Sequence, residues 1–170
     1  MHKLRYAKLL FIAVIILSVI GVHAAVNGNF RTHLNGDGEV PVRLTNAQGQ
    51  ALFKLSDDGT ELHSKLIVAN INNVVQAHIH LAPPGVNGNI VVFLYGLVPP
   101  GGGRTSGVLA EGTITSANLI NDLAGHPLSD LIAAMEAGNA YVNVHTNDGV
   151  GAVNTGPGDF PGGEIRGQIH

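Results

Sequence analysis

Apolar and polar residues alternate in short runs along most of the chain. Ala51–Leu55, Leu62–Ile71, Val74–Leu81, Ile90–Tyr95, Val108–Thr115, Ala140–Thr146 and Glu164–Ile169 are rich in Val and Ile or change character at every second position. A period of two places successive side chains on opposite faces of a strand. Turn-forming residues separate most of these runs: Asp57-Asp58-Gly59, Asn72-Asn73, Pro83-Pro84-Gly85, Asn87-Gly88 and Pro99–Gly103. The pattern predicts an all-β fold, an antiparallel Greek-key sandwich or barrel with long loops. One segment departs from it. Leu128, Leu131, Ile132 and Met135 recur at i, i+3, i+4 and i+7, which predicts a short helix over about 127–137. Pro127 suits its first turn and Gly138 the position just past its end. A shorter helical turn is expected after Ser116. The longest loop expected is Asn147–Gly163, and a loop of that length in a compact domain is often functional.

The first residues follow a different rule. Lys3, Arg5 and Lys8 precede an uncharged apolar run from Leu9 to Val22, and Val22-His23-Ala24 then offers small residues at a cleavage position. This order describes a secretory signal over 1–24, with an uncleaved N-terminal anchor as the lesser reading. The run is shorter than the roughly 20 residues of a membrane span. Residues 25–170 then form one domain, secreted or extracytoplasmic, meeting a membrane only through an uncleaved N-terminal segment. The charge changes accordingly: nine basic residues lose three, leaving six against twelve acids, a formal −6. With no basic patch and few aromatics, nucleic acid is not an expected partner. There is no cysteine. Disulfides, thiolate metal sites and a cysteine nucleophile are excluded, so any metal is held by nitrogen and oxygen.

Histidine is the residue type that remains to be explained. In QAHIHLAPPGVNGNI, residues 76–90, the side chains of Gln76, His78 and His80 share one face of a strand, and Ala77 and Ile79 take the other. Residues i and i+2 stand about 6.6–6.8 Å apart, a gap two tilted imidazoles can close on one ion at about 2.0–2.1 Å. The alternative is a solvated polar face. In AYVNVHT, residues 140–146, Tyr141, Asn143 and His145 share a face, with Val142 and Val144 turned toward the core. In GGEIRGQIH, Glu164, Arg166, Gln168 and His170 lie opposite Ile165 and Ile169. Arg166 could attract an anion, or pair with Glu164 or Glu39. His33 and His63 read as exposed, His126 as a capping or surface residue, and His170 as a frayed terminus. His2 and His23 fall in the signal segment. Asp57-Asp58-Gly59 reads as a turn rather than half a calcium loop, no G-x-S-x-G occurs, and Gly101-Gly102-Gly103 lacks the phosphate-loop context.

AHIHLAPPGVNG, LSDLIAAMEAGNAYVNVHT and PGGEIRGQI, in that order and with NGDGEVPV at 35–42 before them, resemble the chordin-type (CHRD) domain. The resemblance runs from about Phe30 to Ile169 and implies an all-β extracytoplasmic module. A fainter likeness is to copper/zinc superoxide dismutases, whose copper strand carries His-x-His, followed by a later Val-His strand and an Arg near the C-terminus. His78, His80, His145 and Arg166 stand in that order here. The dismutase's bridging histidine and zinc loop have no counterpart, because Leu81–Gly107 contains no histidine. The likeness thus implies one copper at His78, His80 and His145, no zinc, a catalytic Arg166, and Gln76 and Asn143 as groups that orient the imidazoles. Superoxide or another small anion would be the substrate of a copper-only dismutase. Two alternatives stand beside it: a non-catalytic extracellular binding module, and a copper storage or delivery protein.

Overall fold

A computed structural model describes residues 28–170; the signal segment expected over 1–24 lies outside the described residues. The strands are β1 (Asn29–Asn35), β2 (Gln48–Leu55), β3 (Leu62–Asn72), β4 (Val74–Leu81), β5 (Asn89–Gly96), β6 (Arg104–Ile114), β7 (Ala140–Thr146) and β8 (Ile165–Gln168). They form one antiparallel sheet in the order β5-β4-β7-β8-β1-β2-β3-β6. The edge strands β5 and β6 approach each other, so the sheet curls into a nearly closed barrel. β3 and β4 are not neighbours in the sheet, yet Asn73 alone joins them. Its left-handed backbone (φ 53°) makes the corner, and its side chain bonds Gly103 N–H (2.9 Å) and Gly158 O (3.2 Å).

Alternation sets what faces inward. Phe30 and Leu34 of β1, Ala51 and Phe53 of β2, Leu66 and Val68 of β3, Ala77 and Ile79 of β4, and Val142 and Val144 of β7 are all buried in one core with Ile165 and Ile169. Every one of the seven expected strands is present. β1 is an eighth that was not expected: Phe30, Thr32 and Leu34 point inward, and the polar Thr32 at the middle position weakens the apolar period. The helix α1 (Leu128–Glu136) adds Leu128, Leu131, Ile132 and Met135 to the same core. Pro127 caps it from just outside rather than sitting in the first turn. A backbone N–H at that position would have had no helical partner, so proline, which has none, costs nothing. Gly138 follows the end at φ 67°. The short turn after Ser116 is a 3-10 turn over Ser116–Asn118. Among the described residues no helix is long and apolar enough to cross a membrane.

The outer face of β4, β7 and β8 is covered too, by loops rather than by a second sheet. The segments 36–47, 82–88 and 147–163 fold over it. Glu164 pins two of them. Its carboxylate, 0% exposed, accepts bonds from Thr45 Oγ1 (2.6 Å), Thr146 Oγ1 (2.6 Å) and Gly158 N–H (2.8 Å). This covered outer face is where the histidines lie.

Candidate metal centre

Register brings the three histidines together. Gln76 stands opposite His145, His78 opposite Asn143 and His80 opposite Tyr141 in the β4–β7 ladder. The pleat therefore puts His78, His80 and His145 on one small area of the outer face, and each is buried (0%, 7% and 6% exposed). Their ring centroids are 5.5 Å (His78–His80), 4.9 Å (His78–His145) and 6.3 Å (His80–His145) apart. Each ring contributes one nitrogen to a set whose members lie within 4.8 Å of one another.

The surrounding carbonyls decide which nitrogen is available. His80 Nδ1 lies 2.9 Å from Gly88 O and His145 Nδ1 lies 2.7 Å from Pro161 O. A carbonyl only accepts, so both rings carry the proton on Nδ1 and keep the lone pair on Nε2. His80 Nε2 is buried without a partner. His145 Nε2 lies 3.1 Å from His78 Nδ1 and 3.0 Å from Asn143 Oδ1. Two nitrogens each about 2.0–2.1 Å from one ion and 3.1 Å apart subtend an angle of about 100°, within the range of a four-coordinate site. Burial keeps the rings neutral. It pushes His78 down to about 3, with neighbouring His145 and His80 adding to the fall, and His145 down to about 4. His80 is lowered by the same cause. Neutral imidazole is the form that binds metal.

Of the two residues expected to orient the rings, Asn143 is at the centre, its Oδ1 3.0 Å from His145 Nε2. Gln76 is half-buried across from His145. Arg166, 2% exposed, pairs in register with Asn143. Its guanidinium lies over the Tyr141 ring, 3.4 Å from the centroid, and donates to Val86 O (2.8 Å) and Asn87 Oδ1 (3.1 Å). Glu164 is taken up by the threonines. Glu39 is near enough to interact with Arg166 by charge, but burial dominates and raises its carboxyl to about 7.

The family model of the CHRD domain matches residues 30–169. The chain belongs to the CHRD domain family. No curated protein and no solved structure matches it. In this CHRD domain the quoted motifs are the pieces of one site: AHIHLAPPGVNG brings two imidazoles and the Gly88 carbonyl, AYVNVHT the third imidazole, Asn143 and Tyr141, and PGGEIRGQI the Pro161 carbonyl, Glu164 and Arg166. The alternation argument did not find Tyr141, Gly88, Pro161 or Phe93 as parts of the centre. Tyr141 had a usable signal, since it shares a strand face with His145. Phe93 faces His78 across the β4–β5 ladder, its ring perpendicular at 4.5 Å and 49% exposed. His33, His63 and His126 are exposed, away from the cluster, and His126 bonds Asp130 at 2.7 Å.

Proposed function

We propose that this domain holds one copper ion through His78 Nδ1, His80 Nε2 and His145 Nε2 and disproportionates superoxide. The observation that carries the reading is the convergence of three buried, neutral imidazoles, two with the proton fixed on the remote nitrogen by a carbonyl. An all-imidazole donor set with no sulfur suits divalent late transition metals, among which copper binds most tightly. The likeness to dismutases in the order of His78, His80, His145 and Arg166 favours copper as well, and Leu81–Gly107 offers no histidine for a neighbouring zinc.

Copper would supply the redox chemistry by cycling between its two states, so that one superoxide is oxidised to dioxygen and a second, taking two protons from solvent, is reduced to hydrogen peroxide. The chain supplies the rest. Gly88 O and Pro161 O hold two rings in the metal-binding tautomer, and Asn143 stands beside His145 Nε2. Phe93 and the covering loops keep the three rings out of bulk water. Arg166 contributes buried positive charge beside the centre in a chain of net negative charge, favouring an anion locally.

Metal analysis of the purified domain after copper loading, followed by a superoxide assay, tests the proposal. One copper per chain with turnover supports it. Stoichiometric copper without turnover selects a storage or delivery protein, and no metal selects an interaction module. A His78→Ala/His80→Ala variant that keeps full copper occupancy overturns the ligand assignment.

A further inference from the structure

We infer that Arg166 and Tyr141 are positioning residues that set the tautomer and ring plane of His80 through the loop between β4 and β5. The inference rests on the reading of His78, His80 and His145 as a metal centre, and it assigns Arg166 an indirect action rather than contact with an anion.

The connection can be followed atom by atom. The His80 ring lies parallel to Tyr141, with centroids 4.7 Å apart and 8° between planes. The Tyr141 hydroxyl accepts a bond from Gly88 N–H at 3.2 Å. Gly88 O then accepts the His80 Nδ1 proton at 2.9 Å. Arg166 holds the two preceding residues, through Val86 O and Asn87 Oδ1, while the Asn87 amide donates to Val40 O at 2.8 Å. Val86, Asn87 and Gly88 are thus gripped in succession, and Arg166 itself is fixed over the far-reaching ring of Tyr141. Residue 88 must be glycine for this closure: a Cβ there would lie 1.8 Å from Leu81 O. With no side chain, the peptide packs against the end of β4 and returns its carbonyl to the histidine eight residues back.

The chemical consequence concerns one proton. A neutral imidazole carries it on Nδ1 or Nε2, and only the first form leaves Nε2 free to ligate. Gly88 O is the acceptor that selects Nδ1–H at His80. If Arg166 or the Tyr141 hydroxyl is lost, the loop is held at fewer points and the selection weakens. Arg166 has no carboxylate oxygen within ion-pair distance among the described residues, so its charge is met by the tyrosine face and two oxygen acceptors. That arrangement ties the guanidinium to the loop rather than to an acid elsewhere.

Nitrogen-15 NMR of the metal-free protein, labelled at histidine, reads the tautomer directly. Wild type should show His80 as Nδ1–H with a slowly exchanging proton. Tyr141→Phe, which removes one oxygen and keeps the stacked ring, should speed that exchange at least tenfold and populate Nε2–H; Arg166→Ala should do the same, with Arg166→Lys restoring part of the protection. A Tyr141→Phe protein whose His80 signals match wild type overturns the inference, and this variant decides alone if Arg166→Ala does not fold. Copper-loaded Tyr141→Phe at full occupancy should show a shifted copper EPR spectrum, and an identical spectrum also overturns it. Failure of the metal-centre reading is seen separately, as absence of copper binding by wild type in the same titration.

Discussion

Burying three imidazoles should make the metal-free domain acid-sensitive in a defined window. The unfolded chain holds its histidines near the ordinary value of 6.5, whereas His78 and His145 titrate at about 3 and about 4 in the fold. Between these values the unfolded state binds protons that the folded state refuses, so stability is present above pH 6.5 and is lost as pH falls. From pH 7 to pH 5 each of the two rings should cost about 2 kcal/mol of stability. Glu39 works the other way. Its carboxyl is raised from 4.5 to about 7, so the folded state binds the extra proton, and acidification over the same interval returns about 2 kcal/mol. The net loss is about 2 kcal/mol, with His80 adding in the same direction. Urea unfolding of the metal-free protein at pH 7 and pH 5, in chelator, measures it. Glu39→Gln removes the offset and should enlarge the loss to about 4 kcal/mol. Equal stability at the two pH values in Glu39→Gln would refute the burial argument, because two neutral buried imidazoles leave no other sign.

Three further outcomes follow from the same contacts. Copper affinity should change less than about tenfold from pH 8 to pH 5, because rings that stay neutral do not trade protons for metal; competition titrations check this, and a steep loss would mean that the rings charge in the fold. Glu164→Ala strands the Thr45 and Thr146 hydroxyls and the Gly158 N–H, and should cost about 3–5 kcal/mol, read as a lower urea midpoint. Gly163→Ala adds a Cβ 2.4 Å from Glu39 Oε1 at φ 123°, and should cost about 2–3 kcal/mol by the same measurement.

The parts of this fold that depend on alternation were readable in the sequence, and those that depend on loop closure were not. Side-chain direction along a strand is a local property, so QAHIH and AYVNVHT already place Gln76, His78 and His80 on one face and Tyr141, Asn143 and His145 on another. That the two faces are one face needs the β4–β7 register, which periodicity does not encode. β1 escaped because a buried Thr32 interrupts its apolar period. The deeper gap concerns the cover. A sheet face bearing three histidines, an asparagine and an arginine reads as solvent-facing, and buried polar groups without partners are costly. The structure resolves that conflict with backbone: Gly88 O and Pro161 O, from loops on either side, each satisfy one Nδ1. Carbonyls have no signature in a residue code. Their trace is the glycine and proline content of LAPPGVNG and GPGDFPGG, which looks like mere turn punctuation until Gly88 is seen to pack against Leu81 O. Satisfying Nδ1 this way has an asymmetric effect, because it removes the polar cost on one side of each ring while leaving Nε2 of His80 buried and unpaired on the other. Under the proposed metal centre that bare nitrogen is a ligand, and the loops then hold a lone pair in place as well as covering a surface.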